Sequence, residues 1–179
     1  MFMGTIFIAG SYGVGKSTLC QALSNVLGVP AYSAGDLISN INGEKYGANK
    51  AVQNKDKNQD ILAIEVKKKL QKHPTILLAG HFCIFDKLNR VVKLPDSVFR
   101  ELSIKRILLL EADPERILFN LNVRDHKKYE RSQIEMLLKE EHNAAEFVSK
   151  QCGCSLYIHQ MSFSTSDLQK CCEILTAEV

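Results

Sequence analysis

A chain of 179 residues, 45% hydrophobic and 24% charged, suits one globular domain with its own core. The formal net charge of +3 leaves room for a local phosphate-binding patch but gives no argument for nucleic acid or a membrane surface. Apolar runs such as 76–79 and 107–110 fall far short of the roughly 20 residues that a bilayer span needs, and Met1-Phe2-Met3-Gly4-Thr5 has neither a basic flank nor a cleavage site, so a cytoplasmic location is expected.

Residues 5–9 predict a short buried strand, followed by a glycine-rich loop and a helix over 16–27 that Gly28 and Pro30 close. A second short strand is expected over 29–32 and a brief helix over 34–40. The stretch 42–59 is polar, rich in Asn and Lys and without apolar periodicity. It reads either as a bland surface excursion or as a segment that covers a substrate. A helix over 60–72 follows, with Ile61, Leu62, Ile64 and Leu70 as its buried stripe, and Pro74 stops it.

A buried strand is predicted over 75–79, then a crossover over 81–104 with a short helix from Asp96 to Leu102. Residues 106–110 form the next strand. Asp113-Pro114 supplies an N-cap and a first-turn proline for a helix running to about Asn122. The charged stretch 124–131 comes next, with a short lid expected near 123–131. Ser132-Gln133-Ile134-Glu135 reads as a capping box for a long helix to Gln151, 155–158 as a last strand, and Ser166-Asp167-Leu168-Gln169 as the box of a C-terminal helix. Strands alternating with helices, without repeat or linker, predict a single α/β domain with a parallel sheet and helices on both faces.

The clearest chemistry lies in Gly10-Ser11-Tyr12-Gly13-Val14-Gly15-Lys16-Ser17. Glycines let the backbone crowd an anion, and the amides converge as a nest at the positive end of the following helix. This pattern predicts ATP bound along Gly10, Ser11, Gly13, Val14, Gly15, Lys16, Ser17 and Thr18. Lys16 acts as a point charge on the outer phosphates and the Ser17 hydroxyl as a ligand of Mg²⁺. Six cysteines, including Cys152, Cys154, Cys171 and Cys172, lack the Cys-x-x-Cys spacing of zinc sites and read as buried or idle thiols.

Ser33-Ala34-Gly35-Asp36 follows the second strand, at the ligand-binding edge of such a sheet. Asp36 either accepts from a substrate hydroxyl or holds a magnesium-bound water, or it merely caps a helix. His81, after Gly80, ends the third strand and is either a substrate contact or a structural hydrogen-bonding group. Among Arg116, Arg124 and Arg131, Arg124 is the best placed to neutralise a migrating phosphoryl group, while Arg116 reads also as a solvated charge.

The order Gly-Ser-Tyr-Gly-Val-Gly-Lys-Ser-Thr, Ser-Ala-Gly-Asp-Leu, Ile-Leu-Leu-Ala-Gly-His, Leu-Leu-Leu-Glu-Ala-Asp-Pro-Glu-Arg and Val-Arg-Asp resembles the nucleoside monophosphate kinases, in particular the archaeal-type and short-lid adenylate kinases. The resemblance implies a five-stranded parallel sheet with the loop strand at its centre. It also implies ATP and Mg²⁺ at Lys16, Ser17 and Thr18, an acceptor near Ser33, Gly35 and Asp36, and Arg124 in the lid. Three positions depart from the family pattern: Ala79 replaces an acid near Mg²⁺, Ser39 an arginine of the monophosphate motif, and Asn120 a lid arginine. Asp36 and Glu111 are the candidates for the missing carboxylate.

The leading expectation is therefore phosphoryl transfer from ATP to a nucleoside monophosphate, with Lys16, Arg124 and Asp36 as catalytic residues and Ser33, Gly35, Asp36 and His81 holding the acceptor. A different small acceptor, or a regulatory ATPase that reports to a protein partner, are the other readings.

Overall fold

The structure is a computed structural model that describes residues 3–42, 55–125 and 129–177. Much of the polar stretch near 42–59 and the middle of the lid near 123–131 lie outside the described residues. The element order is β1 (Gly4–Gly10), α1 (Lys16–Leu27), β2 (Ala31–Ser33), α2 (Ala34–Asn42), α3 (Lys55–Lys72), β3 (Thr75–Ala79), β4 (Cys83–Phe85), β5 (Val91–Lys93), α4 (Asp96–Glu101), β6 (Ile104–Glu111), α5 (Pro114–Asp125), α6 (Arg131–Cys152), β7 (Ser155–Gln160) and α7 (Ser166–Thr176).

Among the described residues the main sheet has five strands in the order β2-β3-β1-β6-β7, and every neighbouring pair is parallel. All residues of β1 and β3 are buried, which is why these strands read as unbroken apolar runs rather than alternating ones. Helices cover both faces: α1 packs with α7, while α4 packs with α3 and α6, and α6 with α5. The register aligns Ser33 with Ala79 and Ile8 with Ala79, and on the other side Gly10 with Leu110. The carboxyl ends of the four strands β2, β3, β1 and β6 therefore open on one edge.

Several expectations change. The crossover after β3 contains an antiparallel ribbon of β4 and β5, which the sequence reading did not anticipate. Its turn is built by Asp86, whose Oδ1 accepts from the amides of Leu88 (2.8 Å) and Arg90 (2.9 Å), with Asn89 at φ 57. The stripe assigned to α3 is partly wrong: Ile64 is 54% exposed, whereas Leu62 and Val66 are buried. Positions four apart face the sheet, and Ile64 stands between them on the opposite side.

The helix caps also differ. α5 extends through Asp125, so Arg124 lies in its last turn rather than beyond it. α6 is capped by Glu130 rather than Ser132, the Glu130 amide donating to Gln133 Oε1 at 3.0 Å. At α7 the cap position is Thr165, not Ser166. Asp167 is buried there, taking hydrogen bonds from the amides of Ser162 (3.0 Å) and Ser164 (3.2 Å) and lying 2.9 Å from His159 Nε2. The six cysteines are all free, and burial pushes the thiols of Cys20, Cys83 and Cys171 up to about 12. Among the described residues no helix is long and apolar enough to cross a membrane.

One buried cation closes the sheet against the C-terminal helix. Arg106 on β6 is 1% exposed, and its guanidinium donates to the carbonyls of Leu175 (2.6 Å) and Ala177 (3.1 Å) at the end of α7. It thereby satisfies carbonyls that a helix terminus leaves open. Arg106→Met is expected to lower the free energy of unfolding by about 2 kcal/mol, as read by urea denaturation, with no effect on nucleotide affinity.

Candidate nucleotide and acceptor site

β1 ends at Gly10, where a side chain has no room: an added Cβ would sit 2.5 Å from the Leu110 carbonyl oxygen on β6. The loop then turns back to enter α1 through Gly15 at φ 94, a left-handed conformation that a side chain disfavours. Inside the turn, Lys16 is 9% exposed, and its Nζ donates to the carbonyls of Gly10 and Ser11, both at 2.7 Å. From α5, Asn120 Nδ2 donates to the Gly13 carbonyl at 2.8 Å, so this side chain ties the loop to the helix that packs on it.

The loop forms one wall of a cavity of about 580 Å³. Gly13, Gly15, Lys16, Ser17 and Thr18 of the loop and α1 line it, together with Ser33 at the end of β2, Gly35 and Asp36 on α2, and His81 after β3. Asn120 and Arg124 of α5 complete the rim. Deeper in, Leu62, Ile84, Leu94 and Phe99 give an apolar wall, interrupted by the carboxamides of Asn58 and Gln59 on α3. The structure thus brings together every acceptor-side residue named from the sequence. Of the loop residues, Gly10, Ser11 and Val14 lie beneath the cavity rather than on it: Ser11 and Val14 are 0% exposed, and the Ser11 hydroxyl donates to the Tyr12 carbonyl at 3.1 Å.

The alternatives left open at Asp36 narrow here. Its own amide donates to Ser33 Oγ at 3.4 Å, so Ser33 supplies the cap of α2 and the exposed Asp36 carboxylate remains at the cavity. Ser39 is turned into its helix, its hydroxyl donating to the Asp36 carbonyl at 3.2 Å. His81 packs against Tyr12, with ring centroids 4.4 Å apart, and Tyr12 stacks in turn on Phe85 at 5.7 Å. Burial drives the Tyr12 hydroxyl pKa above its ordinary value, so it stays neutral.

Two arginines lie away from the cavity. Arg131 is held by Glu115 and Glu135 on the protein surface, each at 2.7 Å. Arg116 places its guanidinium 5.1 Å from the Phe163 ring and 5.6 Å from that of Phe119. Phe163 and Met161 in turn border Gly15, so this aromatic-cation shelf adjoins the loop.

Glu111 does not take the place of the missing carboxylate. Its side chain lies 2.6 Å from His142 Nδ1, and it is absent from the cavity wall. The hydrogen bond that the His142 ring makes to the Glu111 carboxylate raises the His142 pKa above its ordinary value. The carboxylate that does approach the loop is Glu141, on α6 and 1% exposed. It accepts from the amides of Phe82 (2.8 Å) and Cys83 (2.7 Å), and its Oε1 is 3.9 Å from His81 Nδ1. Burial raises its pKa to about 7, opposed by the charge of Lys16 and by the amides of Cys83, Phe82 and Gly10. The sequence reading passed over it because Glu140-Glu141 on a charged helix looks like a solvated face. The available signal was its place in the stripe Ile134, Leu137, Ala144, Ala145 and Val148, all buried.

A curated relative, an adenylate kinase of Thermoplasma acidophilum, is 29% identical over 119 residues, covering 62% of each chain, so the match spans less than two thirds of that protein's length. Among solved structures, a shikimate kinase from Bacteroides thetaiotaomicron superposes with TM-score 0.63 at 15% identity, covering 97% of this chain and 96% of that one. A gluconokinase from Sinorhizobium meliloti gives 0.56 at 13% identity, covering 97% and 96%. These distant likenesses establish the fold. The pattern of the family AAA_17, described as an AAA domain, matches residues 9–137. The chain therefore belongs to the AAA_17 family and is built on the P-loop kinase fold.

Proposed function

We propose that this protein transfers the γ-phosphoryl group of ATP to a small acceptor, and that the acceptor is a nucleoside monophosphate. The observation that carries this reading is one cavity lined both by Lys16, Ser17 and Thr18 and by Ser33, Gly35, Asp36 and His81, with Arg124 on it as well. A donor site and an acceptor site that share a single opening are what in-line transfer needs, since the protein contributes mainly positioning and charge neutralisation.

The residues fit the implied groups. Ser17 and Asp36 are both exposed oxygen donors on the cavity, the ligand type a hard divalent cation takes, directly or through water. ATP supplies the phosphoryl group, and Mg²⁺ neutralises its oxygens when bound. Lys16 sits on a flexible stem beneath the loop and carries its ammonium to the outer phosphates. The Arg116–Phe163 shelf beside Gly15 offers a flat surface for the base of ATP. On the acceptor side, the carboxamides of Asn58 and Gln59 set in an apolar wall suit a planar base with a hydrogen-bonding edge. Arg124 serves the phosphate that lies nearer the rim. The likeness to an adenylate kinase supports the nucleotide acceptor. The shikimate kinase and gluconokinase neighbours make polyhydroxy acids the control acceptors.

A screen of nucleoside monophosphates, shikimate and gluconate with ATP and Mg²⁺, read by phosphorylated product, tests the assignment. ADP formed only with a monophosphate supports it. Product only with a hydroxy acid reassigns the acceptor, and slow acceptor-independent hydrolysis stimulated by a protein partner supports a regulatory ATPase. Lys16→Ala is expected to lower turnover by at least about a hundredfold with an unchanged circular dichroism spectrum; near-normal turnover contradicts the assignment. Arg124→Ala is expected to lower kcat by about tenfold or more while changing ATP affinity less than about threefold. Equal losses in both would make Arg124 a binding contact only.

A further inference from the structure

A buried carboxylate needs a reason, because taking its charge out of water is costly unless hydrogen bonds and an opposite charge compensate. Glu141 lies on the interior face of α6 between Leu137 and Ala144, where an apolar side chain would pack without that cost. Its partners are not scattered. Phe82 and Cys83, whose amides it accepts, directly follow His81. The Gly10 amide also acts on its charge, and the Gly10 carbonyl receives Lys16 Nζ at 2.7 Å. The carboxylate therefore anchors the segment after β3 that presents His81, and it lies close enough to the first turn of the phosphate loop to feel the charge of Lys16.

We propose that Glu141 is a positioning residue of the phosphate loop, serving as the internal counter-charge of Lys16 and as the anchor of the segment that carries His81. The proposal rests on the reading that a triphosphate binds at this loop. It has an electrostatic consequence whose sign is fixed. The charged and titratable groups facing the carboxylate are Lys16 on α1, His81 after β3, Cys83 on β4 and Tyr12 in the loop. Burial keeps Cys83 and Tyr12 neutral, which leaves Lys16 as the compensating cation.

A triphosphate brings negative charge above the loop and draws Lys16 towards it. Both effects disfavour the ionised carboxylate and raise its affinity for a proton. Nucleotide binding is therefore coupled to proton uptake, and affinity falls as pH rises through about 7, where the carboxyl of the free protein ionises.

The test is the dissociation constant of ATP at saturating Mg²⁺, where the nucleotide's own protonation is constant, measured from about pH 6 to about pH 8.5 for the wild type and Glu141→Gln. The wild type is expected to weaken by about fivefold across this range, and the variant to stay within about twofold. A variant with the same pH dependence as the wild type overturns the proposal, and so does a flat wild-type profile. If Glu141→Gln does not fold, calorimetry of the wild type in two buffers of different ionisation enthalpy decides. Uptake of roughly half a proton per ATP at pH 7 supports the coupling, whereas release or no exchange overturns it. Binding that is independent of pH removes only the role of Glu141. Absence of MgATP binding at every pH removes the loop reading beneath it as well.

Discussion

The structure turns on one ammonium group held beneath a turn of bare backbone. Lys16 is almost buried, and a cation in that position is tolerable only because carbonyls of Gly10 and Ser11 accept from it and a carboxylate lies below. The rest of the architecture delivers those groups. β1 must run through the centre of the sheet, fully buried, so that Gly10 emerges between β3 and β6. The contact of Gly10 with the Leu110 carbonyl leaves no room for a side chain, which fixes where the loop begins. Parallel register then sets Ser33 and Gly80 beside the same opening without any further device.

Around this constant centre, the positions that depart from the family pattern have local explanations. Asn120 ties Gly13 to α5 rather than offering a charge to a phosphate. Ser39 hydrogen-bonds within its own helix. Ala79 ends β3 in register with Ser33 and faces the cavity as a small apolar surface. A carboxylate does lie near the loop, but on α6: Glu141 accepts from the amides of Phe82 and Cys83 and does not line the cavity. Positive charge at the cavity is thus concentrated, among the described residues, in Lys16 and Arg124.

What could be read from the sequence follows from how local each signal is. The loop motif, the buried strands β1, β3 and β6, and the Gly28 stop of α1 depend on neighbours within a few residues, and each appears where its pattern places it. The carboxylate below the loop depends on residues 58 and 59 positions apart in sequence, and no local pattern announces such a pairing. Asp167 misled for the same reason. Its surroundings resemble a capping box, but its carboxylate is used by the segment that precedes the helix. α3 misled differently: a Lys-rich helix has a weak apolar stripe, so Ile64 and Val66 compete for the core and only packing against the sheet selects Val66.

The account stands on loop amides that point at a triphosphate, so the most direct measurement is their hydrogen exchange with and without MgATP. Slowing by at least about tenfold at Gly13, Gly15, Lys16 and Ser17 is predicted when the nucleotide is present. Unchanged exchange at these four amides under saturating MgATP would contradict the central claim.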